Sequence, residues 1–521
     1  MKEQRKKASQ RKRRIIFNND GAEWNYAREP TAAEMLRLFT IGLEESHVDT
    51  VFYSSCARGC NMYCHDTKVA QVYQDAPGII QGLIDGGRDM LQIMVDHWHS
   101  LGKEIFWSCR VNDEHDAWIP GATSKWKRQH PEYLMGTREN PPPYGPWSAL
   151  DYGMPEVREQ YFRTIEEVCV RYDVDGIELD YFRQLLCFRK HVWGDSLGEE
   201  EVQIMNDHMS RIRAMTEKVG RDRGRPILIA ARVPDCPAFA KQLGFDVEAW
   251  LAKDLIDIMV VGGYFWLRPW EQSVELGHKY DVPVYSSLDA SRLTDDETRM
   301  IRRSDDAYRA HAANAWRAGV DGIYVFNFNY MRGPRDRVWS ELGNPDALAS
   351  LDKIYHVSVM GDGHPDVEHY LGGGRKYSQL PRLCPDHPLE MLSGQLHVTT
   401  LSIADDPAAA GQRFTPKVTL NIKATGLAHG GELVVSLNDQ MLEPAPLTWP
   451  FANKDDWLEY EVEPRVIRQG DNGLEIILAE GAARCMLHDV HLRVEHGPNV
   501  DRRRDMVMSR NRFLAYDAAT V

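Results

Sequence analysis

The chain has 521 residues, 43% hydrophobic and 27% charged, an ordinary globular composition long enough for two or three domains. Its 77 acidic residues outnumber 62 basic ones, and a formal charge of −15 excludes a general nucleic-acid binder dependent on surplus Lys and Arg. No run approaches the roughly 18 apolar residues of a membrane span, so neither nucleic acid nor membrane is expected as a partner.

The N-terminal "MKEQRKKASQRKRR" is strongly basic, and "IIF" (15–17) is too short to be the apolar core of a secretory signal. Residues 1–13 therefore read as a basic disordered leader. Nine scattered cysteines do not form a disulfide framework, and reduced thiols in the cytoplasm are the simplest expectation unless a leader has been removed.

From residue 14 onward, short β-rich runs alternate with helix-like segments. The runs are 13–20, 48–55, 103–113, 175–182, 226–234, 257–265, 282–289 and 321–329. Between them, segments such as "EVREQYFRTIEEVCVRY" (156–172) carry apolar residues at helical spacing. Alternating strands and helices imply a parallel sheet, and eight such units imply a (β/α)8 TIM barrel over 14–360. "RYDVDGIELDY" and "RAGVDGIYVFN" repeat a helix end, Val-Asp-Gly-Ile and a strand.

The segment 344–359 would supply the last barrel helix. A Pro/Gly-rich linker follows over 361–388. Six mostly alternating runs then lie in 389–497 ("GQLHVTTLSI", "TPKVTLNIKA", "GELVVSLND", "WLEYEVE", "NGLEIILAE", "CMLHDVHLRVE") and read as a C-terminal antiparallel β-sandwich. Residues 498–521 form a tail containing the basic stretch 501–513.

Polar residues gather at the C-terminal strand ends, where barrel enzymes keep their active sites: Asn19 and Asp20, Ser54 and Ser55, Asn112 and Asp113, Asp180, Arg232, Tyr264, Asp289, Asn327 and Asn329. In "DVDGIELDYFR" (173–183), Glu178 and Asp180 are two apart and share the inward face. An inward carboxylate is costly to desolvate unless paired or used. Glu178 either pairs with Arg110 or Arg232 and holds the barrel together, or belongs with Asp180 to the catalytic group, orienting it or raising its pKa by like-charge proximity.

"DGIELDYFR" resembles the strand-four signature Gly-Ile-(His/Glu)-(Phe/Leu)-Asp-Tyr-x-Arg of glycosyl-hydrolase-like family 10, a family of TIM-barrel proteins. "SCRVNDEHDAW" (108–118) is similar to the Arg-x-Asn-Asp-x-His stretch of related barrels. The resemblance covers roughly the first two-thirds of the chain. It implies that Asp180 is the essential carboxylate and that Arg110, Asn112, Asp113 and His115 line a sugar subsite. Members often continue after the arginine with Tyr-Pro, whereas here Gln184 and Leu185 follow Arg183.

Glycoside hydrolysis needs a second carboxyl, at about 5–5.5 Å for a nucleophile or about 6.5–9.5 Å for a base. Asp180 is expected as nucleophile or base and Asp289 as acid, with Glu271, Glu114 and Asp116 as further acid candidates. Tyr264, Phe265, Trp266 and Trp270 suit a sugar cleft, and Arg183, Arg232 and Arg268 join the rim. The expected activity is hydrolysis of an oligo- or polysaccharide. A polysaccharide lyase, with Asp180 or His115 abstracting a proton, and a non-catalytic glycan-binding barrel are the alternatives.

No cofactor and no metal are expected. Cys56, Cys60, Cys64 and His65 lack zinc or cluster spacing. His97 and His99 sit at a helix end on the opposite side of the barrel. No phosphate loop or serine elbow is visible.

Overall fold

The computed structural model describes residues 1–119, 121–289, 293–326, 328, 333–357, 377–409, 415–449, 451 and 453–497. Strands β1 (Ile15–Asn19), β2 (Val48–Tyr53), β3 (Glu104–Arg110), β4 (Gly176–Asp180), β5 (Leu228–Val233), β6 (Ile258–Val261), β7 (Val284–Leu288) and β8 (Gly322–Phe326) close into a parallel barrel in sequence order. This is the expected (β/α)8 barrel. Successive strand residues point to opposite faces. Ile15, Phe17, Val51, Ile105 and Ile177 join the core shared with the outer helices. Ile16, Phe52, Phe106, Ala230, Val260, Tyr324 and Phe326 fill the barrel itself. Burial on both faces explains why these strands are almost continuously apolar.

Two expectations fail at the barrel's ends. Residues 2–9, expected within a disordered leader, form helix α1 (Lys2–Ser9) on the N-terminal side of the barrel. Arg5 donates to Asp257 Oδ1 at 2.7 Å and to Asp254 Oδ2 at 2.6 Å, just before β6. Arg13 Nε donates to Glu104 Oε2 at 2.7 Å, and Ala8 packs on the barrel's interior cluster. Acidic partners distant in sequence thus order a segment that reads as solvated by itself.

The expected last helix is reduced to Pro345–Leu348, with Asn344 accepting from the Asp346 and Ala347 amides. Strand β9 (Lys353–His356) then joins the C-terminal domain, because its backbone groups find partners there. That domain adds β10 (Leu389–Met391), β11 (Leu396–Ile403), β12 (Lys417–Thr425), β13 (Leu433–Leu437), β14 (Gln440–Leu442), β15 (Pro444–Ala445), β16 (Trp457–Val462), β17 (Gly470–Leu478) and β18 (Cys485–Glu495). They form two antiparallel sheets, β9-β18-β12-β16-β15 with β10 also on β18, and β11-β17-β13-β14. Leu401, Leu420, Val435, Leu474, Ile476 and Leu492 form the sandwich core.

The sandwich is pinned to the barrel. Lys423 Nζ lies 3.3 Å from Asp295 and 3.2 Å from Glu297, and Trp457 Nε1 donates to Glu297 Oε2 at 3.0 Å. Trp449 and Trp457 are buried in one cluster with Ile301 of the barrel, so they pack at this junction. All nine cysteines are buried free thiols, and no helix among the described residues is long and apolar enough to cross a membrane.

Candidate functional site

The parallel register sets Arg110 on β3, Asp180 on β4 and Arg232 on β5 level with one another at the C-terminal mouth. Asp180 Oδ2 is 3.2 Å from Arg232 Nη1, while Oδ1 accepts from the Arg183 amide at 3.0 Å. The first bond spans two strands; the second caps the turn Tyr181–Arg183. Arg232 lies over Phe326 at 4.0 Å and is fully buried. Gly263 permits this: a Cβ there would stand 2.8 Å from Arg232 Nη2.

One layer lower, Glu178 accepts from Ser108 Oγ, from Tyr324 OH at 2.7 Å and from Asn18 Nδ2 at 3.1 Å. It makes no ion pair with Arg110 or Arg232, so that expectation is corrected: neutral donors surround it. Burial, and then the charge of Asp180, push its carboxyl up towards the protonated form. Glu178 therefore faces the barrel interior beneath Asp180 rather than the mouth.

Around the mouth runs a chain of charged groups. Arg110 bridges Asp20 Oδ1 at 2.6 Å and Asp113 Oδ2 at 3.0 Å. Asp113 Oδ1 meets His115 Nδ1 at 2.6 Å, His115 Nε2 lies 3.2 Å from Arg183 Nη2, and Arg183 Nη1 donates to Tyr264 OH at 3.0 Å. Burial pushes the Asp113 carboxyl up, but His115, Arg110 and Arg183 outweigh it and hold it well below the usual range. Asp20 is lowered likewise, with Arg110 and Arg183 prevailing over burial. The His115 side chain is 40% exposed while Asp113 is fully buried, so the imidazole is the member presented to solvent.

Other expected site residues serve the scaffold. Asn112, at φ 61°, spends its amide on Leu150 O, Leu186 O and Leu150 N, leaving nothing for substrate. Asn19 accepts from Gly21 N and donates to Glu23, shaping the turn that presents Asp20. At Gly21, φ is +67° and a Cβ would collide with Ser54 O, so only glycine serves. Trp266 stacks on Trp270 with centroids 4.8 Å apart and is buried, as is Phe265; among the four aromatics of that loop, Tyr264 reaches the site. Glu271 pairs with Arg317 on an outer helix, and buried Asp116 pairs with Lys127, so neither is placed as the acid. Asp289 is partly exposed after β7, which β5 and β6 separate from β4. Asn327 and Asn329 lie outside the described residues.

The structure adds groups to which the sequence motifs assign no role. Glu23, fully buried against Asn19 and Tyr53, is pushed up to about 7 by burial. Asp235 accepts from the Leu267 and Arg268 amides and is pushed up to about 6 by burial, fixing the aromatic loop. Trp118, just beyond the turn His115–Ala117, is 61% exposed.

Residues 16–194 match the family model described as glycosyl hydrolase-like 10, a shorter span than the motifs suggested but one that holds β1–β4, Asp180 and the Arg110–His115 stretch. Among solved structures, the PgaB (BpsB) glycoside hydrolase domain from Bordetella bronchiseptica is similar at 10% identity, covering 61% of this chain and 94% of that one, with a TM-score of 0.40. The α-galactosidase AgaA from Geobacillus stearothermophilus is similar at 11% identity and a TM-score of 0.36, covering 93% of this chain and 56% of that one. An α-amylase from Malbranchea cinnamomea is similar at 13% identity and a TM-score of 0.36, covering 91% of this chain and 97% of that one. No curated protein matches the sequence.

Proposed function

We propose that the barrel, whose residues 16–194 match the glycosyl hydrolase-like 10 model, is a glycoside hydrolase centred on Asp180. The observation that carries this reading is a carboxylate at the mouth of β4, fixed by Arg232 and the Arg183 amide and flanked by the Asp20–Arg110–Asp113–His115–Arg183–Tyr264 chain. A preorganised carboxylate opposes the positive charge that develops at the anomeric carbon. Asp180 acts as nucleophile or as base towards water. Asp289, across the mouth, protonates the leaving glycosidic oxygen. Glu178 is a positioning residue below them. His115, Arg183 and Tyr264 hold sugar hydroxyls, and exposed Trp118 offers an apolar face to a ring.

One observation favours a second reading. The 2.6 Å Asp113–His115 contact, with the imidazole partly exposed, suits a general base. In a lyase His115 would take the proton next to a uronate carboxylate and the glycosidic oxygen would leave, giving an unsaturated sugar.

A panel of neutral, uronic and sulfated glycans, followed by reducing-end assay and mass spectrometry, separates the two. Hydrolysis adds one water to the combined mass of the fragments. Elimination adds none and gives a product absorbing in the near ultraviolet. Asp180→Asn should abolish hydrolysis, whereas His115→Gln should abolish elimination. Saccharide binding without release would instead indicate a glycan-binding barrel.

A further inference from the structure

On β9 and β18, His356 and His491 stand directly opposite one another in the antiparallel register, and Asp489 lies two residues before His491. Alternation puts Asp489 and His491 on one face. One ligand atom from each of the three residues lies within 4.8 Å of the others, and all three side chains are buried.

Their hydrogen bonding is the unusual part. Neither ring nitrogen of His356 or His491 has a hydrogen-bond partner, and neither does Asp489 Oδ2. Buried polar groups in folded proteins nearly always have partners, and a neutral imidazole offers one donor and one acceptor. Five such atoms converge in this one cluster. The Trp457 ring centre is 5.2 Å and the Phe451 ring centre 6.0 Å from that of His491, so aromatic rings wall one side of the cluster and a water can complete the coordination.

We propose that His356, Asp489 and His491 bind a divalent transition-metal cation of the zinc type. Two imidazoles and a carboxylate are the borderline nitrogen and oxygen donors such ions select. Zinc–ligand bonds of about 2.0–2.1 Å put tetrahedral ligand atoms roughly 3.4 Å apart. The three ligand atoms lie within 4.8 Å of one another, so closing to that spacing needs side-chain adjustments of up to about 1.4 Å. Arg302 Nη2 is 3.3 Å from Asp489 Oδ1, and it orients the carboxylate as outer partners of metal ligands do, leaving Oδ2 for the ion.

The site lies outside the barrel. Arg302 belongs to the barrel helix Asp296–Arg302, and His311, on the helix Asp305–Arg317, has its ring centre 6.3 Å from that of His356. All three ligands belong to the sandwich sheet, so the ion ties β9 to β18, and Arg302 links the site to the barrel.

The test uses the full chain, stripped with chelator and dialysed. Zn2+ is titrated in competition with a chromophoric chelator, Co2+ uptake is followed by visible absorption, and Tm is recorded with and without Zn2+. One equivalent per chain, cobalt bands of tetrahedral intensity and a rise in Tm are expected. His491→Gln and Asp489→Asn should each weaken binding at least tenfold. Absence of stoichiometric uptake by the wild-type chain, or equal affinity in the folded variants, would overturn the proposal. Should a variant fail to fold, the wild-type cobalt spectrum decides: without bands of tetrahedral intensity the site does not exist.

Discussion

Arg232 Nη1 lies 3.2 Å from Asp180 Oδ2 with neither side chain more than 1% exposed, so the carboxylate at the mouth of β4 is held by a buried guanidinium from the neighbouring strand. Removing one partner of a buried pair leaves the other uncompensated, which costs about 3–5 kcal/mol. Arg232→Met should therefore lower stability to urea by about that amount, and Asp180→Leu combined with it should recover most of the loss. A double variant whose cost is the simple sum of the single ones would show that the two residues are not coupled.

Helix α1 carries a second consequence. Arg5 donates to Asp254 and Asp257, and Arg213 shares Asp257 at 2.6 Å, so its loss does not leave a bare charge. Arg5→Met should cost about 2 kcal/mol, the scale of hydrogen bonds to charged groups. Thermal denaturation should begin earlier while the far-ultraviolet spectrum stays unchanged. An unaltered onset would mean that α1 does not brace the barrel.

Two buried carboxyls predict opposite pH dependences. Burial holds Glu23 at about 7 in the fold against an ordinary carboxyl value of 4.5, so its contribution is fully present below 4.5 and is lost as pH rises from there to about 7. Glu23→Gln should flatten Tm between those values and raise it, relative to wild type, at pH 8. Asp113 is depressed below 3.8, so its contribution is present above that value and is lost as pH falls through its folded value. Asp113→Asn should remove part of the acid-side loss. Tm against pH for both variants checks the signs.

Trp118 is the aromatic that the structure leaves open beside His115. Stacking contacts of about 0.5–1.5 kcal/mol correspond to roughly 2–10-fold in affinity. Trp118→Ala should raise KM for a glycan substrate by that factor and leave kcat nearly unchanged. A fall in kcat alone would place the indole elsewhere in the mechanism.

Much of this architecture was legible in the sequence, for physical reasons. Barrel strands buried on both faces must be apolar almost throughout, so all eight could be read, and a Val-Asp-Gly-Ile turn marks where two of them, β4 and β8, begin. Alternation did the same for the six sandwich runs. Helix α1 was not legible, because Arg5 and Arg13 find their acids at Asp254, Asp257 and Glu104, far along the chain. Strand β9 follows a helix-like stretch, and its ladder with β18 decides its conformation.

At the mouth, spacing placed Glu178 and Asp180 on one face but could not supply the neutral partners of Glu178. Nor could it reveal Glu23, in the short 3-10 turn Glu23–Asn25, or Asp235, in a loop, since neither segment is long enough to show periodicity. Asn112 reads as a polar rim residue, yet its left-handed backbone turns the amide onto Leu150 and Leu186.

The most direct test is to compare sugar release by the wild-type chain and by Asp180→Asn on the same glycan panel, with both proteins confirmed as folded. Release by wild type, falling by three or more orders of magnitude in the variant while saccharide binding persists, is the predicted result. Comparable release by both would contradict the assignment of Asp180 as the carboxylate at which the glycosidic bond is broken.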